Sequence, residues 1–207
     1  MPLQNRVRPD GEILAVSARG TLMGNRGGRI HENTARVLHP TKRWASRQWI
    51  CCVTEFKRRQ RQLMTPNQYT ELFFLDEVTA LAAGHRPCFE CRRADAVGFA
   101  QAWQRAFGLA KRPLVAEMDA QLHAERLKDR GKRTHRRLFA DLPDGTMAEI
   151  DGEFLVKKGL TACRWTFDGY EHAKTPAGEV NCLTPPAILA AMRAGYRPAH
   201  HPSLGEM

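Results

Sequence analysis

The chain has 207 residues, 43% of them hydrophobic, and is long enough to bury a core in one domain or in two small ones. No apolar run is long enough to span a membrane, and the polar N-terminus does not have the pattern of a signal peptide. The six cysteines, two of them adjacent, do not suggest a disulfide scaffold. We therefore expect a cytoplasmic protein with reduced thiols and one metal site.

Two segments carry the net charge of +10. Residues 42–62 contain seven basic side chains and one acidic side chain, and residues 126–137 contain the same numbers. Arginine predominates in both segments, and its guanidinium can bind phosphate through two parallel hydrogen bonds. We expect a nucleic-acid partner, DNA rather than RNA, although a charge run can also be a plain solvated surface. The residues expected to contact nucleic acid are Arg43, Arg47, Lys57, Arg58, Arg59, Arg61, Arg130, Lys132, Arg133, Arg136 and Arg137.

The first half of the chain favours strands around a basic hairpin. The glycine-dense residues 20–28 are expected to form a loop. Residues 47–56 have apolar side chains on both faces and predict a strand, which residues 61–64 would pair with after a short turn. Trp44 and Trp49 could stack a nucleic-acid base beside this hairpin, or could belong to the core.

A Cys-x-x-Cys pair follows the first predicted helix. Asp76 is a suitable N-cap for this helix, and Gly84 is placed to end it in the left-handed conformation. Pro87 then leads into Cys88 and Cys91, whose spacing lets both sulfurs reach one metal ion. The alternatives are a redox pair, although no thioredoxin-like pattern surrounds it, and two plainly buried thiols.

The adjacent cysteines of the predicted strand 47–56 point to opposite faces. Cys51 shares a face with Trp49 and Val53, which indicates the core. Cys52 lies on the other face, and we expect it to be the third metal ligand.

Residues 73–91, with the sequence FFLDEVTALAAGHRPCFEC, resemble the second half of the zinc-binding domain of the Ada DNA-repair protein. In that family a Phe-Phe strand and an Ala-rich helix lead into G-[aromatic]-R-P-C-x-x-C. Residues 24–31, GNRGGRIH, are similar to the GN…YH opening of Ada-like modules found beside some nucleases.

The resemblance covers about residues 24–93 and implies Zn²⁺ as the cofactor and a role in DNA repair or processing. It also implies His31 as the fourth ligand. In the related modules a Cys ligand follows this His after three residues, where this chain has Ala35, so the four-ligand pattern of the family is incomplete.

Two further helices are expected at residues 95–107 and 113–129. The second carries Asp119, His123 and Glu125, and a carboxylate that orients a histidine can serve in acid–base or metal chemistry. Ordinary pairing on a helix surface is the alternative. The His-Ala-Glu sequence together with Pro-Cys-x-x-Cys also resembles the zinc-deaminase signature, but in reversed order.

The C-terminal part favours short strands and a final helix. Strands at residues 146–150 and 153–157 flank Asp151-Gly152, a strong hairpin signal. Further strands are expected at residues 161–167 and 179–183. Thr184 then caps a helix that ends at Gly195.

Together these patterns predict an α+β protein with an Ada-like zinc module at residues 1–110 and a small β-rich unit with a terminal helix at residues 111–207. We expect a zinc-containing nucleic-acid-binding protein. The alternatives are a metal-assisted hydrolase, either a nuclease or a deaminase, that uses Asp119, His123 and Glu125, and an interaction protein whose zinc only stabilises the fold.

Overall fold

A computed structural model describes residues 1–58, 62–129 and 131–205. The described residues form a mixed fold, consistent with the expected α+β class. None of the described helices has the length and apolar character needed to cross a bilayer.

The first sheet contains six strands in the order β2-β1-β5-β3-β4-β6. Their bounds are β1 (Gln4–Val7), β2 (Ile13–Ala15), β3 (Leu22–Arg26), β4 (Trp49–Val53), β5 (Leu72–Phe74) and β6 (Arg86–Pro87). Helix α1 (Glu77–Ala82) connects β5 to β6. Two helices follow, α2 (Arg93–Ala106) and α3 (Val115–Arg126).

A two-stranded hairpin of β7 (Leu127–Lys128) and β8 (Gly131–Lys132) leads to the second sheet. This sheet also has six strands, in the order β13-β12-β11-β10-β14-β9. Their bounds are β9 (His135–Leu138), β10 (Met147–Ile150), β11 (Glu153–Lys158), β12 (Thr161–Trp165), β13 (Tyr170–Ala173) and β14 (Glu179–Cys182). Helices α4 (Pro186–Arg193) and α5 (Pro202–Gly205) complete the described part.

The predicted basic hairpin is wrong. Strand β4 pairs with β3 on one side and with β6 on the other, and residues 62–64 do not form a strand, while Arg61 lies outside the described residues. The glycine-dense stretch predicted to be a loop contains β3 itself. Gly24 is needed there because a Cβ would lie 2.2 Å from the carbonyl oxygen of Ile50.

The helix cap predicted at Asp76 and the turns predicted at Gly84 and Asp151-Gly152 are confirmed. Asp76 caps α1 by accepting hydrogen bonds from the backbone N–H and the hydroxyl of Thr79, at 2.8 and 2.7 Å. Gly84 has φ +87°, as expected for the end of that helix. Asp151 and Gly152 both have positive φ, 51° and 82°, as a tight two-residue hairpin turn between β10 and β11 requires.

A buried core joins helices from both halves of the chain. Helices α2, α3 and α4 contribute to one cluster that includes Phe99, Trp103, Met118, Leu122 and Ile188. A second cluster packs α1 against the second sheet through residues such as Val78, Met147, Val156 and Trp165.

Two adjacent carboxylates at the start of α1 also bind the C-terminal half. Asp76 accepts hydrogen bonds from the Tyr170 hydroxyl (2.8 Å) and from the backbone N–H of His201 (3.0 Å). Glu77 accepts hydrogen bonds from the Tyr196 hydroxyl (2.6 Å) and from the backbone N–H of Ala199 (2.9 Å). Both carboxylates are buried, so these hydrogen bonds replace the water that each would otherwise bind.

We predict that Tyr170→Phe lowers the free energy of unfolding by about 1.5–3 kcal/mol, because hydrogen bonds to charged groups contribute about that much. Burial, followed by the nearby Asp76 carboxylate, raises the pKa of Tyr170 well above its usual value, so the hydroxyl stays a donor. Urea unfolding measures the change.

Arg164→Ala is the control, because Arg164 makes only exposed ion pairs with Glu153 and Glu171. We expect a much smaller effect from it. Equal effects of the two substitutions would contradict the structural role of the hydrogen bonds to Asp76.

Candidate metal centre and basic surface

Three cysteines converge on one point beside the first sheet. The sulfur atoms of Cys52, Cys88 and Cys91 all lie within 4.8 Å of one another, close enough to hold a metal ion. Cys52 and Cys88 are buried, and Cys91 is half-buried. The prediction that Cys52 rather than Cys51 joins the Cys-x-x-Cys pair is therefore confirmed at the level of geometry.

Strand pairing explains how distant cysteines meet. The short strand β6 runs parallel to β4, and the backbone N–H of Cys88 donates to the carbonyl of Cys51 at 2.9 Å. This hydrogen bond places the Cys-x-x-Cys turn beside Cys52. On β4, Cys52 pairs with Met23 and Cys51 pairs with Gly24, so their side chains lie on opposite faces of the sheet.

The environment of the cluster favours a thiolate. The pKa of Cys88 is lowered to about 5, first by a hydrogen bond from the Cys52 thiol and then by backbone N–H groups, including that of Glu90 at 3.4 Å. The pKa of Cys52 is raised, first by the hydrogen bond that it makes to Cys88, and that of Cys91 is raised, first by burial. One sulfur thus holds negative charge readily, and a bound cation would favour deprotonation of the other two. This donor set fits a soft divalent metal ion.

Cys51 has a different environment although it is the next residue. It is fully buried in the core of the first sheet, and its sulfur accepts a hydrogen bond from the Arg92 guanidinium at 3.6 Å. Burial raises its pKa, so the thiol stays protonated.

A cavity of about 540 Å³ adjoins the cysteine cluster. The cluster forms part of its wall. The rest is lined by residues of β3, β4 and β5, and by Thr54, Phe56, Leu63, Gln68, Tyr69, Glu71 and Glu90. Most of this wall is apolar or aromatic, with Met23, Ile50, Phe56, Leu63, Tyr69 and Phe73. A metal ion on the three sulfurs would therefore have room for a further ligand from the cavity.

His31, expected as the fourth ligand, does not belong to the cluster. Its Nε2 lies 3.0 Å from the carbonyl oxygen of Thr65 and its Nδ1 lies 2.7 Å from the Thr70 hydroxyl. Because a carbonyl can only accept, Nε2 carries the proton and Nδ1 accepts from Thr70. Both nitrogens of His31 are thus used to hold a loop together.

Asp119, His123 and Glu125 are not assembled into one site. Asp119 is buried and accepts two hydrogen bonds of 2.8 Å from the Arg86 guanidinium. Glu125 accepts from Gln121 and from the backbone N–H of Ala187, at 3.0 and 2.8 Å. Among the described residues, the cysteine cluster is the one group of three or more His, Cys, Asp or Glu side chains close enough to share a metal ion.

His123 instead belongs to the surface where the two basic segments meet. Its Nδ1 lies 3.1 Å from the Arg126 guanidinium, and its ring meets that of Trp44 edge-on at 5.8 Å. Arg126 also donates to the carbonyl of Arg47 at 2.8 Å. His123 is therefore not part of the cysteine cluster, so the described residues do not bring the His-Ala-Glu sequence and the Cys-x-x-Cys pair together on one metal ion.

The other basic residues lie at several places. Arg43 and Lys132 line a small cavity together with Arg126. Lys57, Arg58, Arg133 and Arg137 are exposed, and Arg136 is exposed but pairs with Glu179 at 3.2 Å. Arg59, Arg61 and Arg130 lie outside the described residues.

Comparison with known proteins gives no relative for this chain. No family model matches it, and the searches of curated proteins and of solved structures found no significant match. The resemblance to the Ada zinc-binding domain stays a prediction.

We predict that Cys52→Ser lowers the metal content of the purified protein, because two thiols hold a metal ion much more weakly than three. Cys51→Ser, the matched control on the neighbouring residue, should keep its metal. Elemental analysis of both variants measures the metal per chain, and equal metal content in the two would contradict the assignment of Cys52.

Proposed function

We propose that this protein is a zinc-containing nucleic-acid-binding protein. The convergence of Cys52, Cys88 and Cys91 carries the zinc part of this proposal, because three sulfurs within 4.8 Å of one another form an unusual and specific donor set. Thiolates favour soft metal ions such as zinc over magnesium or calcium, which prefer oxygen ligands.

The number of ligands bears on the role of the metal. Structural zinc is usually held by four protein ligands, whereas catalytic zinc is held by three and keeps the fourth position for water or substrate. Three cysteines beside a cavity of about 540 Å³ fit the second arrangement. A metal-assisted hydrolase acting on a ligand in that cavity is therefore the second candidate function.

The meeting of the two basic segments supports nucleic acid as the partner. Arg43 and Arg47 lie beside Arg126 and Lys132, and the half-buried Trp44 lies among them. Positive charge next to a partly exposed aromatic ring can bind a phosphate and stack the adjoining base. A role in DNA repair or processing comes from the resemblance to the Ada domain.

We predict that Arg43→Glu combined with Arg47→Glu weakens binding to a short duplex DNA. It should also reduce the slope of log affinity against log salt by roughly 0.9 for each phosphate group that the variant no longer binds. Fluorescence anisotropy across a salt series measures both quantities.

Lys111→Glu combined with Arg112→Glu is the charge-matched control, because both residues are exposed in the connection between α2 and α3. If the two double variants weaken binding equally, the effect is one of overall charge, and the proposed surface fails.

A further inference from the structure

Four basic side chains line a small cavity of about 40 Å³ at the junction of the two basic segments, those of Arg26, Arg43, Arg126 and Lys132. Three of them, Arg26, Arg126 and Lys132, each donate a hydrogen bond to a backbone carbonyl of the first half of the chain. Arg26 is 3% exposed and Arg126 is 1% exposed, which is rare for arginine. None of these three residues belongs to the cysteine cluster.

Backbone carbonyls hold the three cationic groups in place. The Arg26 guanidinium donates to Gly11 at 2.6 Å, and that of Arg126 donates to Gly84 at 2.8 Å. The Lys132 ammonium donates to the carbonyl of Ala82. Carbonyl oxygens satisfy individual N–H groups, but they do not neutralise the charge.

Two hydrogen-bond donors among these three basic side chains have no acceptor. Within the described part of the chain, the Nε–H groups of Arg26 and Arg126 are buried and have no hydrogen-bond partner. Both guanidinium groups lie over the ring of Trp49, with centroid distances of 4.2 and 4.0 Å. The ring attracts cations but cannot accept a strong hydrogen bond from either Nε–H group.

The negative charge at the cavity does not balance the positive charge, because four basic residues line it against two acidic ones, Asp10 and Glu12. The ion pairs among the described residues do not include Arg26, Arg126 or Lys132. The acidic residues nearby are engaged elsewhere or exposed. Asp10 pairs with Arg8, Asp119 pairs with Arg86, and Glu12 is exposed at the rim.

The pKa values of the three groups also indicate that their positive charges lack a partner. Burial, as the largest cause, lowers the pKa of Arg26 and of Arg126 to about 9 and that of Lys132 to about 7. Buried charges are normally paired or bound to an ion. An anion in the cavity would stabilise the charged form of all three groups.

We propose that this cavity binds a phosphate group, whose oxygens accept the unused Nε–H groups of Arg26 and Arg126 and pair with the Lys132 ammonium. Donors from three separate side chains suit the several oxygens of a phosphate better than the two oxygens of a carboxylate. The cavity has about three times the space that one water molecule needs. Arg43 and Trp44 also line the cavity, so both can contact the rest of a molecule whose phosphate is bound there.

The test compares Lys132→Met with Lys128→Met. Lys128 is exposed on the same hairpin and does not line the cavity, so it matches the change in charge. Calorimetric titration with inorganic phosphate, against chloride at the same ionic strength, should show saturable binding to the wild type and to Lys128→Met. Binding to Lys132→Met should be weaker by about tenfold or more, as for loss of a charge-assisted hydrogen bond.

A second measurement on the wild type does not depend on how a variant folds. Phosphate should slow acetylation of the Lys132 amine, measured by mass spectrometry, and leave that of Lys128 unchanged. The proposal is overturned if phosphate binds no better than chloride, if both methionine variants bind it equally, or if phosphate does not protect Lys132.

The source of the phosphate is decided by adding a 5′-mononucleotide and the variant Trp44→Leu. A nucleotide that binds more tightly than inorganic phosphate, with the gain lost in Trp44→Leu, identifies a nucleotide or nucleic-acid phosphate. Equal affinities identify free phosphate. The site stands in both cases, and because no cysteine takes part, its failure would leave the zinc proposal untouched.

Discussion

The rest of the structure depends on the hydrogen bonds and the ion pair that the buried carboxylates of Asp76 and Glu77 make. Glu77 forms an ion pair of 2.8 Å with Arg92, the residue directly after the Cys-x-x-Cys turn. The same two carboxylates accept hydrogen bonds from the C-terminal half, from Tyr170 and Tyr196. Removing one partner from such a buried network leaves an uncompensated charge, which is strongly destabilising. The start of α1 therefore fixes the cysteine turn and the second sheet relative to the same helix.

The cysteine cluster depends in turn on the register of one strand pair. A slip of one residue between β3 and β4 would exchange Cys51 and Cys52 between the core and the cavity. Gly24 holds the register, because a side chain there would collide with the backbone of Ile50 and with the ring of Phe74. Gly24 belongs to the residues that resemble Ada. It is thus required by close packing in the sheet, whatever the function of the cysteine cluster.

Local patterns in the sequence predicted local features well. Strand alternation selected Cys52, and the turn residues around Gly84 and Asp151 were placed correctly. The failures concern partners far apart in the chain: His31 is held by Thr70, and Asp119 by Arg86, 39 and 33 residues away. Composition cannot reveal such pairing. It also placed Arg126 in a basic segment expected to form a phosphate-binding surface, whereas Arg126 is among the largest fully buried side chains of the described chain.

In the proposed centre, three sulfurs bind a zinc ion whose fourth position faces the cavity. X-ray absorption at the zinc edge of the purified protein tests this most directly, because the scattering separates sulfur from lighter ligands. We predict three sulfur ligands at about 2.3 Å and one nitrogen or oxygen ligand at about 2.0–2.1 Å. A shell of four sulfurs would contradict the open position, and a zinc ion without sulfur ligands would contradict the centre itself.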